Sequence, residues 1–100
     1  MLDFDFAFVE NPSNKTVIVG DAVSMNCVPP VSFPVQVSIR WYHDYQLITP
    51  GGRISVDSSG KIKFSAIEKS DEGMYFCDGT NSYSQATRTS ELAYVTVYGR

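Results

Sequence analysis

DEGMYFC, residues 71–77, packs two kinds of apolar side chain into one short run. In a strand, successive side chains point to opposite faces, so Tyr75 and Cys77 share one side while Met74 and Phe76 share the other. Tyr75 and Cys77 suit a core. A thioether and a phenyl ring then face outward, which needs its own explanation. Glu72-Gly73 is turn chemistry and marks the start of the run.

Outward from this stretch, period-two alternation recurs, and no window of eleven or more residues holds a 3.6-residue apolar stripe. From Ala22 to Val28, the residues Val23, Met25 and Cys27 alternate with Ala22, Ser24 and Asn26. From Val37 to Tyr42, the inward set is Val37, Ile39 and Trp41, and the outward set is Ser38, Arg40 and Tyr42. Ile62 and Phe64 alternate with Lys61, Lys63 and Ser65; Ala93, Val95 and Val97 alternate with Tyr94, Thr96 and Tyr98. Turn residues separate these runs at Asn11-Pro12-Ser13, Gly20-Asp21, Pro29-Pro30, Pro50-Gly51-Gly52 and Ser58-Ser59-Gly60. There is no internal repeat. The chain reads as all-β, and half-apolar sheets bury their faces by stacking, which predicts a two-sheet sandwich.

Its 100 residues suffice for one domain with one core. A content of 43% hydrophobic and 13% aromatic residues argues against disorder. No run of about 18 apolar residues exists to cross a bilayer as a helix. MLDFDFAF lacks the basic region and long apolar core of a signal peptide. The formal charge of −3, with signs scattered, disfavours nucleic acid and anionic membrane as partners.

Cys27 and Cys77 both occupy inward positions, so a bridge between them would join the two sheets through the core. Closing a loop of roughly 50 residues would contribute about 4 kcal/mol in the chain-entropy model. The alternative is a pair of reduced, buried thiols in an intracellular domain. Asn14-Lys15-Thr16 is a glycosylation acceptor pattern, and together with a bridge it fits an oxidising compartment. Pro12 disqualifies the similar Asn11-Pro12-Ser13.

Cys27, Trp41 and Asp71-x-Gly73-x-Tyr75-x-Cys77 in this order resemble the immunoglobulin superfamily, from Phe8 to Val97. The resemblance implies an I-set sandwich, with strands A, B, E and D in one sheet and A′, G, F and C in the other. Cys27 would lie on strand B, Trp41 on C and Cys77 on F, with the Cys27–Cys77 disulfide between sheets. Tyr75 would bond its hydroxyl to backbone a few residues upstream, and Asp71 would pair with Arg53. The interval from Trp41 to Asp71 leaves no room for the extra edge strand of variable domains. Residues 1–7 would be a lead-in or interdomain segment, and residues 8–100 a single domain.

Asn11-Pro12-Ser13, Gly20-Asp21, Cys27-Val28-Pro29-Pro30 and Trp41-x-x-Asp44 are similar to second immunoglobulin domains of neuronal receptors of the roundabout, contactin and neurofascin type. That resemblance implies a protein-binding module of a cell-surface adhesion or guidance receptor, one of several tandem domains in the extracellular part of a membrane protein. The rival reading is an I-set spacer of a muscle or cytoskeletal protein, and a secreted ligand is a third. Tyr45 stands where this family usually has glycine. A tyrosine tolerates positive φ poorly, so the turn there is expected to be of another type or mildly strained, with its ring exposed.

On such a sheet, Met74 and Phe76 face outward beside Tyr42 and Tyr94. Adjacent strands lie about 4.8 Å apart, so the four would cluster. With half their surface exposed they would form a patch of about 400 Å², near the largest on a typical monomer. One reading is a partner-binding face anchored by Tyr42, Phe76 and Tyr94, with Met74 and Tyr45 adding contacts. The other is that cross-strand aromatic pairs stiffen the sheet, or that a long loop covers them. Phe4 and Phe6 share one parity before Phe8; Phe8 is expected to enter the core, while Phe4 and Phe6 would pack on a preceding domain or on this domain's own end.

No catalytic, cofactor or metal site is expected. His43 is the only histidine and is expected to be solvated beside a turn. Asp71-Glu72 supplies too few oxygen ligands for calcium. No helix is predicted, hence no phosphate-binding loop opening one. Lys61 and Lys63 share an outward face that could touch a sulphated glycan, although two lysines ordinarily make a solvated face.

Overall fold

In the computed structural model, which describes residues 8–29, 37–81 and 85–99, two sheets enclose Trp41, Tyr75 and Phe64. The strands are β1 Lys15–Ile18, β2 Val23–Met25, β3 Val37–His43, β4 Gln46–Leu47, β5 Ile54–Val56, β6 Ile62–Phe64, β7 Gly73–Asn81, β8 Ala86–Thr89 and β9 Ala93–Tyr98. One sheet runs β1-β9-β7-β3-β4 with β8 also paired to β7; the other runs β2-β6-β5. Cys27 and Cys77 are joined by a disulfide with a Cα separation of 6.4 Å. The predicted inward residues line the interior except for Val37, which is half-buried and lies outside the core cluster; Met25, Trp41, Ile62, Phe64, Tyr75 and Cys77 are almost fully buried. Phe8 joins this core.

The first strand crosses between sheets. Glu10 bridges Val28 beside β2, whereas β1 runs parallel to β9. Among the described residues, strand A is represented by that single bridge. At the crossing, Asn11 Oδ1 accepts the Glu91 N–H and Asn14 Oδ1 accepts the Tyr94 N–H, both at 2.9 Å. Two side-chain amides satisfy backbone donors where no neighbouring strand is in register to do so.

DEGMYFC divides in two. Asp71 closes a single-turn 3-10 helix, Lys69–Asp71, and Gly73 opens β7. The Asp71 carboxylate takes Arg53 Nη1 at 2.7 Å, Arg53 Nη2 at 3.3 Å and the Glu68 N–H at 2.7 Å. Its backbone carbonyl accepts the buried Tyr75 hydroxyl. Burial, followed by the Asp71 charge, pushes the Tyr75 hydroxyl well above the usual tyrosine range. Gly73 is required by space as well as by its φ of +146°, since a Cβ there would lie 2.7 Å from His43 Nε2 and 2.8 Å from Asp44 Oδ1.

Two local expectations need correction, and a third is met in one of its two forms. His43 is not a solvated imidazole: it has the inward parity of Trp41, stacks on Tyr75 with centroids 4.4 Å apart, and its Nε2 lies 3.0 Å from the Glu72 carbonyl. The interval after Trp41 does admit a stub of an extra edge strand, because a tight hairpin sets Tyr42 opposite Leu47 and His43 opposite Gln46. That hairpin has φ of 50° at Asp44 and 70° at Tyr45, the pattern of a type I′ turn, so of the two outcomes expected for Tyr45 the strained one holds: the turn keeps the geometry that favours glycine. Asp44 holds it by exchanging backbone and side-chain hydrogen bonds with Met74.

Between β5 and β6, Asp57 accepts from the Ser59 hydroxyl, the Lys61 N–H and the Ser59 N–H. These bonds hold its carboxyl at about 2, below the ordinary aspartate value of about 3.9. A folded-state value below the unfolded one means that the stabilisation is complete above about pH 4 and drains as pH falls toward about 2. Melting temperature against pH is therefore expected to fall less steeply across this window in Asp57→Asn than in the parent. Parallel curves would mean that the turn does not contribute to acid sensitivity.

Candidate protein-binding face

The outward side of the larger sheet carries the residues that the alternation left unexplained. Register places Tyr42 opposite Phe76, Met74 opposite Tyr94, and Leu47 beside Tyr42. The Tyr42 and Phe76 rings stack with centroids 4.9 Å apart and planes 13° apart; Tyr45 tilts onto Phe76 at 5.7 Å. Tyr42, Met74 and Phe76 are half-buried by one another, while Tyr45, Leu47 and Tyr94 are 72%, 57% and 54% exposed. The predicted cluster is therefore brought together. It is fully exposed only at its margins, where Tyr98 and Ile18, opposite each other on β9 and β1, add apolar surface.

An ionic group lies beside the rings. Asp78 is opposite Arg40 in the ladder, accepts Arg40 Nε and Nη2 at 3.2 Å each, and accepts the Tyr42 hydroxyl at 3.0 Å. The fork raises the Arg40 guanidinium above its usual value. Burial first, then the hydroxyl's bond to Asp78, pushes Tyr42 up. Asp78 is buried despite its outward parity, its side chain 9% exposed, because guanidinium and phenol cover the carboxylate. The pair fixes the Tyr42 ring at both ends, its face on Phe76 and its hydroxyl on Asp78. Neither Arg40 nor Asp78 stood out in the sequence, yet both have the outward parity of Tyr42 and Phe76, and opposite charges facing each other across strands are a recognised stabilising pair.

Between β8 and β9 the strand bulges: Ser90, Glu91 and Leu92 lie opposite Phe76 and Cys77, with Asp78 paired to Thr89 and Tyr75 to Ala93. Ser90 Oγ accepts the Cys77 N–H at 3.0 Å and donates to the Glu91 carbonyl. The bulge re-aims the strand so that Tyr94 stands beside Met74.

The remaining expected residues sit elsewhere. Asn14 is exposed at the β9 edge of this face. Lys61 and Lys63 line a groove of about 430 Å³ on the other sheet with Ser24, Arg53, Ser55 and Ser65. Lys63 pairs with Asp57 at 3.5 Å, and Arg53 is committed to Asp71 and Glu68, which lowers the groove's positive charge. Phe4 and Phe6 lie outside the described residues. Among the described residues no group of three or more His, Cys, Asp or Glu could hold a metal ion.

The immunoglobulin I-set domain family matches residues 6–94. Mouse Roundabout homolog 1 is 36% identical over 93 residues, covering 93% of this chain and 6% of that protein. Mouse sidekick-1 is 29% identical over 90 residues, covering 90% of this chain and 4% of that protein. The chain thus spans a small fraction of the length of these relatives. Among solved structures, sidekick-1 immunoglobulin domains 1–4 superpose with a TM-score of 0.80 at 28% identity, covering 93% of this chain and 24% of that one. A titin M10 and obscurin-like 1 complex superposes at 0.81 with 23% identity over 94% of this chain and 93% of that one, a likeness of fold alone. The sandwich, the disulfide between its layers and the family match agree: this chain belongs to the immunoglobulin I-set family.

Proposed function

We propose that this chain is one of several tandem immunoglobulin domains in the extracellular part of a cell-surface adhesion or guidance receptor, and that it binds another protein through the outward face of the larger sheet, centred on Tyr42 and Phe76. The observation that carries the reading is the platform of Tyr42, Phe76 and Tyr45, whose rings contact one another without any partner, Tyr42 being held at both its ring face and its hydroxyl. Rigid aromatics lose little conformational freedom on docking, so burial of their surface is converted efficiently into affinity. Binding of this kind involves no turnover. The similarity to Roundabout and sidekick proteins supports the receptor setting, and the disulfide favours it over a reduced intracellular spacer.

The test is a screen of the domain against purified receptor ectodomains and against itself, followed by variants. Phe76→Ser is expected to weaken a captured interaction about 30-fold, the effect of losing a central anchor worth about 2 kcal/mol. It should cost about 1 kcal/mol of fold stability through the lost Tyr42 contact. Lys63→Ser, on the other sheet, is the control and should change neither. If affinity survives Phe76→Ser and falls with Lys63→Ser, binding belongs to the opposite sheet.

A further inference from the structure

The outward face has a boundary that its aromatic composition does not explain. On its β1 side, Asn14 and Thr16 share outward parity, and the parallel register of Lys15 with Val95 sets Asn14 beside Tyr94 and Thr16 beside Thr96. Asn14, Lys15 and Thr16 make an N-glycosylation acceptor pattern, and both Asn14 and Thr16 are exposed. The Asn14 amide is also fixed: Oδ1 accepts the Tyr94 N–H at 2.9 Å, while Nδ2 has no partner among the described residues. The amide is oriented by the atom that glycosylation leaves alone, and the atom that glycosylation uses is free.

We propose that Asn14 carries an N-linked glycan whose root sugar lies against the exposed ring of Tyr94, fencing the β9 side of the outward face and confining protein docking to the side formed by Tyr42, Tyr45, Phe76 and Leu47. The modification joins Nδ2 to the anomeric carbon of a lipid-linked oligosaccharide. Nδ2 gives up a proton, the anomeric carbon–oxygen bond to pyrophosphate breaks, and the lipid pyrophosphate leaves. Oδ1 is not modified, so the glycosylated, folded chain can keep its bond to Tyr94 N–H and the sheet edge is undisturbed. The first sugar then leaves the sheet on the same side as the Tyr94 ring, which is 54% exposed and offers a flat apolar surface. Tyr45, 72% exposed, projects from the β3–β4 turn at the other margin of the sheet and lies away from the glycan. The confinement of docking rests on the face proposed above; the glycan and its contact with Tyr94 do not.

The experiment is secretion of the chain from mammalian cells in three forms: parent, Thr16→Ser and Thr16→Ala. Intact mass is measured before and after treatment with a peptide-N-glycosidase. The parent and Thr16→Ser are expected to lose glycan mass on treatment, and Thr16→Ala to be secreted bare, since serine retains the acceptor hydroxyl and alanine removes it. Tyrosine nitration then reads the contact: Tyr94 is expected to react several-fold more slowly in the glycosylated parent than in bare Thr16→Ala, with Tyr45 reacting equally in both. A bare parent chain would overturn the modification. A glycosylated parent whose Tyr94 and Tyr45 rates match those of Thr16→Ala would overturn the contact. Neither readout involves a partner, so both stand apart from the outcome of Phe76→Ser.

Discussion

A chain in which Cys27 and Cys77 are both alanine is expected to lose about 4 kcal/mol of stability, the loop-closure entropy released when a cross-link spanning roughly 50 residues is removed. Small domains are stable by about 5–15 kcal/mol in all. The loss lowers the melting temperature by on the order of 20 °C for a chain of this size. Both cysteines are almost fully buried, Cys77 directly opposite Trp41 in the larger sheet, so truncation also leaves space that the surrounding side chains fill only in part. Gly60 shows how closely that region is packed: its φ is +96°, and a Cβ there would lie 2.8 Å from the Cys27 carbonyl. The Gly60 carbonyl in turn accepts Trp41 Nε1–H at 2.8 Å. Urea unfolding of the parent, the double alanine chain and the reduced parent measures the effect. A double alanine chain within about 1 kcal/mol of the parent would mean that the core, and not the cross-link, carries the domain.

The same prediction bears on the functional reading. A domain that depends on its bridge folds where thiols oxidise, which is the setting a surface receptor provides. If the reduced chain were fully stable, the sandwich would serve equally well inside a cell, and the case for the outward face would rest on its aromatic residues alone.

The larger features of the fold were legible because period-two alternation is a strong signal when one face is buried. Val23, Met25 and Cys27 all point inward as their spacing requires, as do Ile62 and Phe64. The outward cluster was legible for the same reason: once Tyr75 and Cys77 are inward, Met74 and Phe76 have no other side to take. What the alternation could not reveal were features that depend on register and turn geometry. Asp78 is buried by Arg40 and Tyr42 from a strand it does not belong to. His43 continues the inward parity of Trp41 beyond the point where the sequence suggested a solvated turn. The roles of Asn11 and Asn14 at the sheet crossing depend on which β9 donors lack a strand partner, and no local pattern encodes that. Tyr45 was legible as a misfit, but the hairpin kept its type I′ geometry and placed the misfit residue in it.

Asp71→Ala is expected to cost about 3 kcal/mol, the low end of the cost of breaking a buried ion pair, because Arg53 retains partial access to water. The carboxylate accepts three hydrogen bonds at once: two from the Arg53 fork and one from the Glu68 N–H. Its removal leaves a half-buried guanidinium with Glu68 Oε2 at 3.3 Å and the Ala66 carbonyl at 3.1 Å as its remaining partners. The substitution does not touch the backbone carbonyl that receives the Tyr75 hydroxyl, so the two halves of the motif can be separated. Tyr75→Phe should cost about 1 kcal/mol for the hydrogen bond, plus a share for the carbonyl left without its donor. Arg53→Ala, Asp71→Ala and the double variant form a cycle whose coupling is expected at about 2 kcal/mol. Asp71→Asn separates shape from charge: its amide oxygen can still accept the Glu68 N–H, so a loss close to that of Asp71→Ala would assign the effect to charge pairing with Arg53. If all four chains unfold within about 0.5 kcal/mol of one another, the aspartate is present for the geometry of the turn and the ion pair contributes nothing net.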